Sequence, residues 1–214
     1  MRNLAGLIIG VLLISTAPLT WADDGTALPP PIDAIPFDDS DEAASQAEIA
    51  AQVAAFLETM QRHHGHSEEA LRNAVRGELE REEHGKLIFL RNLADHGVIE
   101  GYEFKDGVLI RGEYRCLQQP INGLNEFIGY YGAVKTALTK AFGAPLKDET
   151  LWENDLYQPL PDYWGVAVLI GHLRYAARWE TSNGIVSLEL TGNRHSRLVI
   201  EFQSNEFLSN RQHT

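Results

Sequence analysis

The sequence predicts an α+β fold: an N-terminal helical region, followed by an antiparallel sheet (a hairpin plus a three-stranded meander) covered by one long helix. Three observations carry this expectation. Apolar residues recur at helical spacing between Ile49 and Leu79. They follow strand spacing from Val98 to Leu117 and again from Leu173 to Phe202. Between those stretches, Leu124, Phe127, Ile128, Tyr131, Val134, Leu138 and Phe142 mark one face of a long helix.

Taken in order, residues 1–22 read as a cleavable signal peptide. Met1-Arg2-Asn3 gives a positive start, Leu4 to Ser15 an apolar run, and Ala22 a small residue ahead of Asp23-Asp24. A twelve-residue run rises only about 18 Å as a helix. A bilayer core is about 30 Å thick, so the run is too short to span it unaided. No Cys stands near the cut to take a lipid. The expected location is therefore outside the cytoplasm, periplasmic or secreted, with no membrane span after cleavage. Residues 23–44, with Pro29-Pro30-Pro31 and many acids, read as a disordered leader.

The helical region covers 45–97. Ser45 and Glu48 have the spacing of a capping box. Ile49, Val53, Phe56, Leu57 and Met60 then fall on one face. Ser67 begins a second helix with Leu71, Val75 and Leu79 as its stripe. Lys86 to His96 reads as a third helix. The α+β domain covers 98–204. Its hairpin turns at Lys105-Asp106-Gly107. The long helix, about 123–142, stops at Gly143 and Pro145. Residues 145–160 form a polar connection, and 162–170 a short helix. The meander turns at Ser182-Asn183-Gly184 and again between Gly192 and Ser196. Residues 205–214 read as a flexible tail. No internal repeat is evident.

Composition narrows the function classes. Hydrophobic residues make up 44%, ordinary for a globular chain. The single cysteine, Cys116, has no partner within the chain for a disulfide, and burial in a strand is its expected fate. The formal charge is −12. The excess sits in residues 23–61, where nine acids stand with no Lys or Arg, and the remainder is mildly acidic. No basic stripe exists to neutralise phosphates, so nucleic acid is not the expected partner. An acidic leader serves solubility.

The chain lacks Gly-x-Ser-x-Gly, a phosphate loop, Gly-x-Gly-x-x-Gly, His-Glu-x-x-His and Cys-x-x-Cys. The reading that follows is a non-catalytic envelope or secreted protein that binds a protein or small ligand, with no cofactor required. The candidate surface is the 145–164 connection with Trp152, Glu153, Tyr157, Tyr163 and Trp164, whose rings combine an apolar body with a polar tip. A second reading is weak Zn or Cu binding by His63, His64 and His66, since imidazoles ligate these metals. The plainer account of that run is a polar turn between helices. A third is an envelope hydrolase using Glu153 or Asp155 as acid–base carboxylates, or Cys116 with His172 or His195. Solvated acidic loops and a core cysteine explain the same residues.

Overall fold

The computed structural model describes residues 39–75, 78–83, 85–93, 96–117 and 125–211. The expected signal peptide (1–22) and most of the leader lie outside the described residues, as does His84.

The described chain runs α1 (Asp39–His63), α2 (Glu68–Ala74), then β1 (Glu78–Glu83), β2 (Lys86–Leu93), β3 (His96–Lys105) and β4 (Val108–Leu117). After α3 (Glu126–Phe142) come β5 (Lys147–Trp152), a 3-10 turn at Pro161–Tyr163 and α4 (Trp164–Leu169). The chain ends with β6 (Leu173–Thr181), β7 (Gly184–Gly192), β8 (Ser196–Ser204) and α5 (Asn205–Arg211).

All eight strands join one antiparallel sheet in the order β1-β2-β3-β4-β8-β7-β6-β5. This corrects the expected fold class. A five-stranded sheet beside a helical region under a single helix is replaced by one eight-stranded sheet. Both α1 and α3 pack against each other and cover one of its faces. Lys86 to His96, read as helix, forms β2 and opens β3. The second helix stops at Val75, and β1 follows it. The first helix begins at Asp39, ahead of Ser45. Part of the expected polar connection is strand β5, and α5 stands where a tail was expected.

The physical reason for these misreadings is common to most of them. In β2, Leu87 and Phe89 point inward while Ile88 and Leu90 point outward, so both faces are apolar and the period-2 signal vanishes. The two edge strands, Glu-Leu-Glu-Arg-Glu-Glu and Lys-Asp-Glu-Thr-Leu-Trp, are rich in charge. Charged side chains keep an exposed edge from pairing with another chain. The same residues are helix formers or loop formers by propensity.

The sheet order is a palindrome. A helix and four strands (α1, β1–β4) are followed by a helix and four strands (α3, β5–β8), and the last strand of each half pairs with the other at the centre. The symmetry of strand order does not appear as sequence repetition, and the two halves line the core differently. The second half buries Leu173, Ala177, Trp179, Val186, Leu188, Leu190, Leu198, Ile200 and Phe202. The first also buries Val98, Leu87 and Phe89, but adds Glu100, Tyr102, Tyr114 and Cys116.

Glu100 is only 2% exposed. It accepts a hydrogen bond from the Tyr102 hydroxyl at 3.0 Å and pairs with Arg91 at 3.1 Å. Burial raises its carboxyl pKa, with Arg91 and then Tyr102 pulling the other way. The Tyr114 hydroxyl donates to Gln52 of α1 at 3.0 Å. These partners are what make burial of such polar groups tolerable.

Candidate functional site

The two halves differ most sharply at one loop. β1 and β2 are joined by residues 84–85, whereas β5 and β6 are joined by 153–172. The long connection leaves the sheet after Trp152 and returns at Leu173, which is the direct cross-strand partner of Trp152. Its base is closed by Glu153 N–H donating to the His172 carbonyl at 2.8 Å, and by His172 N–H donating to the Ala167 carbonyl at 2.8 Å.

Within the loop, the Asn154 side chain accepts from Leu156 N–H at 2.9 Å, a local turn that asparagine favours. Further turns carry Gln158 N–H to the Asp155 carbonyl and Leu160 N–H to the Tyr157 carbonyl. Asn125, at the start of α3, clamps the far side. Its amide donates to the Pro161 carbonyl at 3.1 Å and accepts from Gly165 N–H at 2.8 Å. Gly192 lets α4 settle on the sheet: a Cβ there would lie 1.9 Å from the Val168 carbonyl oxygen.

The expected aromatic residues do come together. Trp152 and Trp164 meet edge to face, with centroids 5.8 Å apart. Tyr157 stacks near Tyr163 at 6.5 Å and contacts His172 at 6.1 Å. The Trp164 indole donates to the Gln158 carbonyl at 3.2 Å. Trp152, Tyr157 and Trp164 are half-buried and packed on the core, so they brace the loop from beneath. Tyr163, 47% exposed, reaches the surface. The Glu153 side chain is exposed, and its backbone closes the loop.

Sequence reasoning missed the aliphatic side chains that share this loop. Leu156 is 61% exposed, Leu160 46% and Ile170 46%. Their signal was present: leucines between prolines and polar residues, in a stretch with neither helical nor strand periodicity to bury them. Fixed by so many backbone bonds, the loop presents apolar side chains to solvent without being able to fold them under.

The three histidines of the run do not converge on one point. His63 and His66 lie edge to face at 5.8 Å, while His64 turns onto Phe202 at 6.0 Å. Burial lowers the His63 pKa, and His66 and Arg62 lower it further. Among the described residues, no group of three or more His, Cys, Asp or Glu side chains is placed to hold a metal ion.

Nor do the hydrolase residues assemble. Cys116 is fully buried, paired across the sheet with Val98 and Leu198. Burial pushes its thiol pKa up to about 12, with Glu126 adding to the rise, so it is a protonated core residue at neutral pH. Asp155 and His195 are exposed in separate loops. No described helix is long and apolar enough to cross a membrane. Comparison with known protein families, curated proteins and solved structures finds no match to this chain.

Proposed function

We propose that this is an exported, non-catalytic binding protein, periplasmic or secreted, whose 153–172 loop docks a protein partner. One observation carries the reading. Leu156, Leu160, Tyr163 and Ile170 are exposed on a loop held rigid by the Trp152–Trp164 pair and the Asn125 clamp. Exposed apolar side chains carried on one loop that is braced by backbone bonds suit protein recognition, because binding then loses little loop entropy. A tyrosine among them adds an amphipathic contact typical of interface centres.

A photo-crosslinking residue at position 160 tests the docking surface, with position 193 in the β7–β8 turn as control. The expected result is a discrete adduct from position 160 that Leu156→Asp and Ile170→Asp both abolish. Equal labelling from both positions, or none from 160, would remove the proposal. Export is tested separately by the mass of the protein recovered outside the cytoplasm. That mass should correspond to a chain starting at Asp23, and a retained Met1 would end the cleavage reading.

A further inference from the structure

The 153–172 loop carries three acids, Glu153, Asp155 and Asp162, and no Lys or Arg. All three are exposed. None is held by a cation or by a side-chain hydrogen bond among the described residues. The strands treat their acids differently. In β3, β4, β5, β7 and β8 every acid is held by a cation, as Asp148 is by Lys135, Glu149 by Lys147 and Glu189 by Arg174. The loop is therefore a local excess of unpaired negative charge.

These acids are interleaved with the exposed apolar side chains. Gln158 N–H donates to the Asp155 carbonyl at 2.9 Å, Leu160 N–H to the Tyr157 carbonyl at 3.0 Å, and Tyr163 N–H to the Leu160 carbonyl at 2.9 Å. Such turns hold their ends within about 7 Å. Asp155 adjoins Leu156, and Asp162 stands between Leu160 and Tyr163 in the chain. Two cations border the loop. Arg174 is held by Glu189, and Arg194 meets α4, where its N–H donates to the Leu169 carbonyl at 3.1 Å. Residues 118–124, which lead into Asn125, contain no charged side chain.

We infer that the partner of this loop is a cationic protein segment, which sets apolar side chains on Leu156, Leu160 and Tyr163 and Lys or Arg against Glu153, Asp155 and Asp162. This rests on the partner-docking reading and names the chemistry of the partner. Any protein that covers those apolar side chains also strips water from the carboxylates beside them. That is costly unless a cation meets each one. A neutral partner leaves the cost standing, and an acidic one adds repulsion, so the charges select the partner while the apolar contacts hold it.

The test is fluorescence anisotropy of two short labelled peptides with the full chain, one of leucine and lysine and the other its leucine and glutamate counterpart. The lysine peptide should bind at least about tenfold more tightly. Raising salt from about 0.05 M to about 0.5 M should narrow that gap, because the carboxylates are exposed. Glu153→Gln with Asp155→Asn and Asp162→Asn should remove at least about tenfold of the lysine peptide's affinity. That variant keeps the nine acids of residues 23–61, so the loss reads the loop alone. Leu156→Ser with Leu160→Ser, at unchanged charge, should weaken the lysine peptide by a similar factor. All five positions are exposed, and the thermal midpoint should hold in both variants. The inference is overturned if the glutamate peptide binds as well, or if either variant binds the lysine peptide unchanged. An adduct from position 160 that accompanies such a result would leave the docking surface standing and remove only the cationic partner. Absence of the adduct removes both.

Discussion

The two halves of the sheet share one plan and differ in what they place inside it. In the β7–β8 pair, Leu188 faces Ile200. In the β3–β4 pair, Glu100 faces Tyr114, with Arg91 and Tyr102 beside it. One half is held by an oily layer and carries its elaboration at the rim, in the 153–172 loop. The other passes from Glu83 to its cross-strand partner Lys86 in two residues at the matching place and carries a polar network within. The same arrangement of strands therefore tolerates two solutions to core packing, provided each buried polar group finds a partner.

That contrast is broken most severely from the oily side. Leu188 is fully buried in the middle of β7. Leu188→Ala leaves a cavity among rigid neighbours and should cost about 4 kcal/mol, measured by urea unfolding. A loss below about 1 kcal/mol would mean that the second half is loosely packed and that the comparison fails.

The polar side responds differently. Arg91→Met removes the cation beside a carboxylate that is sealed from water, and should cost about 3 kcal/mol. Adding Glu100→Leu to that variant should recover most of the loss, because it converts the first half toward the chemistry of the second. The Tyr102 hydroxyl then lacks its acceptor, which leaves a residual cost of about 1 kcal/mol. If the double variant is no better than the single one, the network contributes more than mutual neutralisation.

The pattern of what could be read from sequence follows the same division. The β6–β8 meander was legible because Val186, Leu188 and Leu190 alternate cleanly with polar residues. The β3–β4 hairpin was legible from its turn, where Asp106 and Gly107 take positive φ of 53° and 78°. Strand β2 was not, because Arg91 faces inward toward Glu100, a partner on another strand that local periodicity does not show. Edges β1 and β5 hid behind the charges that protect them. At the candidate site, the aromatic residues were found by composition. Leu156, Leu160 and Ile170 were passed over because apolar side chains are expected inside, although the stretch around the two leucines has no periodicity to bury them.

A third measurement sharpens the comparison through pH. Burial raises the Glu100 pKa above its value in the unfolded chain. The folded state therefore holds a proton that the unfolded state has released in the window between the two values. In that window stability falls as pH rises, and it is regained on acidification. Against Glu100→Gln, the native chain should gain in relative stability as pH drops from neutral toward about 4.3, the ordinary glutamate value. The difference between the two urea midpoints, followed across that range, reads the effect. A flat difference would show that Arg91 fully offsets the burial of the charge.

The smallest effect on stability falls on the rim of the oily half, and there it separates scaffold from surface. Leu160 sits on the loop with nearly half its area in water. Its backbone N–H is spent on the Tyr157 carbonyl and its carbonyl accepts from Tyr163, bonds that any side chain preserves. Leu160→Asp should therefore change the unfolding free energy by less than about 0.5 kcal/mol. By contrast, Gly192→Ala drives a methyl against the Val168 carbonyl and should displace α4, at a cost of about 1–3 kcal/mol. If the loop is a docking surface, both variants lose the partner when the crosslinking residue is moved to the exposed position 163, the first with its fold intact and the second through a moved loop. A Leu160→Asp protein that keeps its partner while Gly192→Ala loses it would shift recognition from the exposed leucines to the shape of the loop that carries them.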